Sequence, residues 1–131
     1  MIKLYFLTLT VFLGIDAIWL TVVAKKFYAQ HLAYVMAKSP NLVAALIFYL
    51  LFVVGMVVLI LVPAIEKKSL MQAILTGALF GLVSYATYDL TNLATIYDWP
   101  ILVTVVDMIW GTVLSATVAG VSFWIYQLIS K

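Results

Sequence analysis

Four long apolar runs leave this chain little choice of fold. They cover Ile2–Ala24, Asn41–Val62, Ser69–Ala94 and Trp99–Ile129, and each reaches the roughly 20 helical residues that cross a hydrocarbon core about 30 Å thick. The chain is 67% hydrophobic and 9% charged, whereas soluble domains are about 45–50% apolar and 25% charged. With a mean hydropathy of +1.23, the expectation is an all-α integral membrane protein. Residues 1–131 form a single four-helix transmembrane bundle whose partner is the lipid bilayer.

The punctuation between the runs agrees with these limits. Ser39-Pro40 supplies a cap and a first-turn proline for the second helix, and Pro63 marks its end. Ser69-x-x-Gln72 reads as a capping box opening the third helix. Asp98-Trp99-Pro100 opens the fourth, with an acid near the positive end of the helix dipole. Lys3 before an apolar run, with Val22-Val23-Ala24 behind it, imitates a signal peptide. The run is too long for a signal core and contains Asp16, so a retained helix is expected.

Between the first two helices, Lys25–Ser39 mixes Lys25, Lys26, His31 and Lys38 with Phe27, Tyr28, Leu32, Tyr34 and Met36, a pattern suited to a short segment lying in the interface. All seven basic residues are lysines at helix ends or in loops. They serve headgroup anchoring and topology, and no broad basic face exists for nucleic acid. Lys3, Lys67, Lys68 and Lys131 fall on one side, and Lys25, Lys26 and Lys38 on the other. This small bias, with the acidic, lysine-free turn Ile96–Trp99 opposite, puts both termini in the cytoplasm. Cysteine is absent and His31 is the only histidine, so thiolate chemistry is excluded and a transition-metal site lacks its usual ligands. No cofactor is evident.

Against this background three aspartates stand out. Asp16, Asp89 and Asp107 lie inside apolar runs with no lysine at their depth. A carboxylate at the centre of a spanning helix costs about 2.5–3.5 kcal/mol on the most lenient scale. An even number of crossings fixes which helix ends are neighbours, and at 1.5 Å rise per residue all three fall roughly 8–12 Å below the same face. On the third helix Asp89 borders a stripe of Gly77, Gly81, Ser84, Tyr85, Tyr88 and Asn92. The fourth places Thr104, Asp107, Gly111, Ser115 and Ser122 along one face. The first offers Asp16 and Trp19. Small and polar residues of this kind line bundle interiors. Helix two carries only the Tyr49 hydroxyl and is assigned to packing and lipid contact.

Asp16-Ala17-Ile18-Trp19 and Asp107-Met108-Ile109-Trp110 share a pattern, but helices one and four run antiparallel, so a tandem duplication does not pair them. Either both supply Asp and Trp to one site or the match is coincidence. Trp99 and Trp124, near helix ends, suit the interfacial aromatic belt, whereas Trp19 and Trp110 suit pocket walls.

The run Gly81-Leu82-Val83-Ser84-Tyr85-Ala86-Thr87-Tyr88-Asp89-Leu90-Thr91-Asn92-Leu93-Ala94-Thr95, with Asp98-Trp99-Pro100, Asp107-Met108-Ile109-Trp110-Gly111 and the early Asp16-x-x-Trp19, resembles the predicted membrane proteins grouped as domain of unknown function 2177 (DUF2177). The resemblance covers the whole chain. It implies a small four-helix bacterial inner-membrane protein and carries no established activity.

The candidate site is therefore Asp16, Asp89, Asp107, Asn92, Tyr85, Tyr88, Trp19, Trp110 and Thr104, with the three aspartates as the ligands if a metal ion binds. Adjacent carboxylates cannot all ionise at close range, so their titrations are coupled. Three functions follow. A binding or transport module takes a proton, a cation or a small cationic ligand, with cation–π help from the aromatics and a homo-oligomer to complete a path. A membrane enzyme acts on a lipid or isoprenoid-like substrate by Asp acid/base chemistry. An accessory subunit docks another membrane protein through its small-residue face.

Overall fold

The structure is a computed structural model describing residues 1–131. It contains four helices, each long and apolar enough to cross a membrane: α1 (Ile2–Leu32), α2 (Leu42–Glu66), α3 (Leu70–Thr95) and α4 (Ile101–Ile129). In lipid a spanning backbone must satisfy its own hydrogen bonds, and helices do so. Leu46, Ile47, Leu75, Leu79, Ile109 and Val113 are exposed on the outside, where the solvent is hydrocarbon.

Two helix starts and one end differ from expectation. The cap of α2 is Asn41, whose side chain accepts the Ala44 N–H at 3.1 Å, rather than Ser39-Pro40. Asparagine caps as well as serine, and Ser39 lies too early to reach the first free N–H groups. Ser69 does cap α3, accepting from the Gln72 N–H at 3.0 Å. Asp98 does not open α4. It takes a left-handed turn conformation with φ 56°, one that Asp tolerates better than most residues, and Pro100 precedes the first helical residue without a side-chain cap. Pro63 does not end α2, which continues to Glu66. A proline inside a helix removes one backbone bond and crowds the preceding turn, and membrane helices absorb this by local π adjustment. A π-helical stretch occupies Val57–Leu61, ending two residues before it.

α1 also outruns its expected limit. No separate helix follows Ala24, because α1 passes through a π-helical stretch at Trp19–Ala24 and continues as Lys25–Leu32. An unbroken α-helix would set Tyr28 about 120° round from Asp16, and the residue added by widening one turn to i→i+5 bonding takes back about 100° of that. The bundle-facing side of α1 therefore includes Tyr28. Beyond the helix the chain turns back, and the Tyr34 hydroxyl donates to the Asp98 carbonyl at 2.8 Å. Leu32, Trp99 and Val103 form a small buried cluster at that end. Trp99 is thus buried under the α3–α4 turn rather than set in an aromatic belt, its indole N–H donating to Thr104 Oγ1 at 3.1 Å, while Trp124 remains exposed.

The tightest seam joins α3 and α4. A Cβ on Gly77 would lie 2.8 Å from the Ala119 Cβ, and one on Gly81 would overlap the Gly111 carbonyl and the Ser115 side chain. The Tyr85 ring fills the space above Gly111. Each step of four residues up α3 is matched by a step of four down α4, and the next step sets Asp89 opposite Asp107.

The remaining helices divide the bundle by depth. Phe12, Val53, Met56, Leu61, Leu114 and Val118 are fully buried in the half that carries the termini. There the second half of α2 packs on α3 and α4, whereas its first half, Leu42–Met56, leans chiefly on α1. A gap is left between that first half and α3.

Candidate functional site

The gap is a cavity of about 540 Å³ lined by Leu20, Tyr28, Leu32, Met36, Phe48, Tyr49, Ser84, Tyr85, Tyr88, Asp89 and Asp107. Phe48 and Tyr88 stand at its rim and are exposed to the outside of the bundle. They lie roughly 10 Å along their helices from the nearest ends, so the cavity opens sideways at hydrocarbon depth. Leu32 and Met36 line its end towards the headgroups.

Asp89 and Asp107 share the inner wall. Their carboxyl groups face each other within hydrogen-bonding reach, a bond that exists only when one of them carries a proton. Asp107 accepts a hydrogen bond from the Tyr28 hydroxyl. Asp89 is fully buried, and while both aspartates are ionised neither of its oxygens has a donor. An unsatisfied buried polar group costs about 1–3 kcal/mol, and more when charged.

Asp16 belongs to a separate layer. Its Oδ2 accepts the Tyr49 hydroxyl at 2.9 Å, and the Trp110 indole nitrogen lies beside it without hydrogen-bond geometry. Between the two layers Trp19 and Trp110 stack with ring centroids 4.3 Å apart and planes within 9°, an arrangement worth about 0.5–1.5 kcal/mol beyond area burial. Asp16 lies three residues below this stack on α1 and Asp107 three above it on α4, about 9 Å apart in helix rise. The single level expected for all three aspartates is corrected accordingly. It took Ala24 as the end of α1, and the helix runs eight residues farther. No three carboxylates converge on an ion-sized position.

The two Asp-x-x-Trp pieces do meet. Each aspartate accepts from one tyrosine, Tyr49 or Tyr28, on opposite sides of the indole stack. Tyr85 and Tyr88 line the cavity. Tyr88 packs edge-on against Trp99 with centroids 5.8 Å apart, and half-buried Asn92 lies beside it. Thr104 holds Trp99 and its own helix start, donating to the Pro100 carbonyl at 3.4 Å. It stands outside the cavity, as do Trp19, Trp110 and Asn92. Helix two is not passive, since Tyr49 reaches Asp16. His31 turns back on its own helix, with Nδ1 2.9 Å from the Phe27 carbonyl.

Residues 1–124 match the predicted membrane proteins of DUF2177. The chain belongs to the DUF2177 family. It is an integral membrane protein with a four-helix transmembrane fold, as the resemblance implied. No curated protein and no solved structure matches the chain.

Proposed function

We propose that this DUF2177 protein binds a small organic cation in the lateral cavity, holding the positive charge against Asp89 and Asp107. The observation that carries this reading is Asp89: fully buried, on the cavity wall, with both oxygens lacking a donor while the pair is ionised. An ammonium group brings three donors and the compensating charge. Tyr28, Tyr85, Tyr88 and Phe48 offer aromatic faces to the rest of the ligand. A hard metal ion asks for six to eight oxygens, more than one carboxylate pair supplies, so the pair favours an organic cation that also uses the apolar walls. Exchange of that cation for a proton on the pair turns binding into transport.

The test is retention of radiolabelled phenethylamine by the purified protein in lipid nanodiscs, with empty nanodiscs as background. Affinity falls about tenfold or more in Asp89→Asn and in Asp107→Asn, and weakens as pH is lowered because protons compete for the same carboxylates. Equal retention by the wild type and both variants overturns the reading.

A second reading draws on the sideways opening and the Tyr28–Asp107–Asp89 row of proton-carrying groups. It makes the protein an enzyme acting on a membrane lipid, with one protonated aspartate as general acid and its neighbour as base. Conversion of one component of a lipid extract by the wild type and not by Asp107→Asn decides for it. In both readings the protein sits in a bacterial inner membrane with Lys3, Lys67, Lys68 and Lys131 on the cytoplasmic side.

A further inference from the structure

Phe48 belongs to two cavities at once. One is the acidic cavity, and the other is a groove of about 460 Å³ running on down the outer face of α2. Leu51, Phe52, Gly55, Val58 and Leu59 recur there at three- and four-residue spacing, which is one helix face. Phe80 of α3 forms the far wall. Gly55 deepens the groove: a Cβ there would come within 2.9 Å of the Phe80 ring tip. Phe52 and Phe80 meet with centroids 5.0 Å apart and close the floor. No polar side chain lines this groove, in contrast to the cavity with which it shares Phe48.

Cavity and groove together have one charged end and one apolar end. From Phe48 to Leu59 the groove follows α2 for roughly 16 Å, about the reach of an extended twelve-carbon chain. A small amine fills only the first part. The whole length suits a molecule with a single chain, and the sideways opening at hydrocarbon depth admits it from the bilayer.

We propose that cavity and groove hold one membrane-dissolved, single-chain amine amphiphile, its ammonium against the Asp89–Asp107 pair and its chain passing Phe48 along the Leu51–Leu59 face of α2. The proposal rests on the cation-binding reading above and extends it to a chemical class. Driving force is divided between the two ends. Lipid tails are as apolar as the groove, so the chain gains only packing and the head supplies the specificity.

The experiment uses hexadecylamine carrying a photoreactive diazirine at the chain terminus, added to the full-length protein in nanodiscs, with labelled peptides read by mass spectrometry. A neutral hexadecane diazirine serves as the bulk-lipid reference. Enrichment at Val58, Leu59 and Phe80 over the neutral probe is expected, lost in Asp89→Asn/Asp107→Asn. In Val58→Trp, a change at a half-exposed position, groove labelling falls severalfold while phenethylamine affinity is unchanged. Labelling spread evenly over Leu75, Leu79 and Val113, as by the neutral probe, with phenethylamine still bound, overturns the single-chain proposal alone. Loss of phenethylamine binding as well as groove enrichment overturns the cation reading beneath it. Covalent linkage of two copies through the groove, unaffected by the amine, assigns the groove to self-association and overturns the proposal.

Discussion

Two buried aspartates in this bundle have opposite surroundings. Asp16 receives the Tyr49 hydroxyl in a closed layer, whereas Asp89 has no donor and borders a cavity. Their substitutions should therefore differ in sign. Tyr49→Phe leaves a buried acceptor unmet and should lower stability by about 1–3 kcal/mol, measured by reversible unfolding in bicelles. Asp89→Leu removes an unmet polar group and should be neutral or stabilising on the same measurement. A loss above about 2 kcal/mol for Asp89→Leu makes the carboxyl pair a structural link, since that is the size expected for breaking a satisfied buried network. Asp89, Asp107, Tyr85 and Tyr88 were legible in the sequence because charge and period stand out on an apolar helix. The partners were harder to read. A hydroxyl on a tyrosine gives no direction, so Tyr49 looked like lipid contact, and Tyr28 lay in a stretch whose lysines and aromatics fit an interfacial segment equally well.

At the scale of elements, two local features aim these side chains. The small-residue seam between α3 and α4 sets Asp89 opposite Asp107. Gly81→Ala should force the helices apart, costing about 1–3 kcal/mol by overpacking and weakening phenethylamine retention, with Asp89 itself intact. Gly14, whose Cβ would meet nothing within 4 Å, is the control: Gly14→Ala should be neutral or gain up to about 1 kcal/mol. Equal effects at both positions would remove the seam from the account. The other feature is the π stretch Trp19–Ala24, which turns Tyr28 inward. Deleting Val23 restores α register and swings Tyr28 about 100° away. In the intact chain Tyr28→Phe and Asp107→Asn should then be energetically coupled, and in the deletion variant additive, as a double-mutant cycle reads. Hydrophobic periodicity showed that the helices exist and that glycine stripes face inward. It assumes 3.6 residues per turn throughout, and so could not register either π stretch or the passage of α2 through Pro63.

The whole molecule is divided across the membrane normal. A mainly apolar core fills the half that carries the termini, with the hydroxyls of Thr8, Ser115 and Ser122 buried in it, and the Asp89–Asp107 pair and the sideways opening occupy the other. The division follows from α2, which packs fully on α3 and α4 only after Met56. It also separates two routes into the cavity, from lipid or from water, that a flux or binding assay alone does not tell apart. The chain has no cysteine, so single cysteines report without background. In intact cells Lys38→Cys should react with a membrane-impermeant maleimide and Lys67→Cys only after the membrane is opened, which fixes both termini inside; the reverse pattern fixes them outside. Phe48→Cys at the cavity rim and Val58→Cys in the groove should resist the impermeant reagent from either side and react with a lipid-soluble one. If Phe48→Cys instead reacts with the impermeant reagent as fast as Lys38→Cys, the cavity is reached through water past Leu32 and Met36. The ligand then arrives from solution, and the gap between α2 and α3 becomes an exit for its chain instead of the way in.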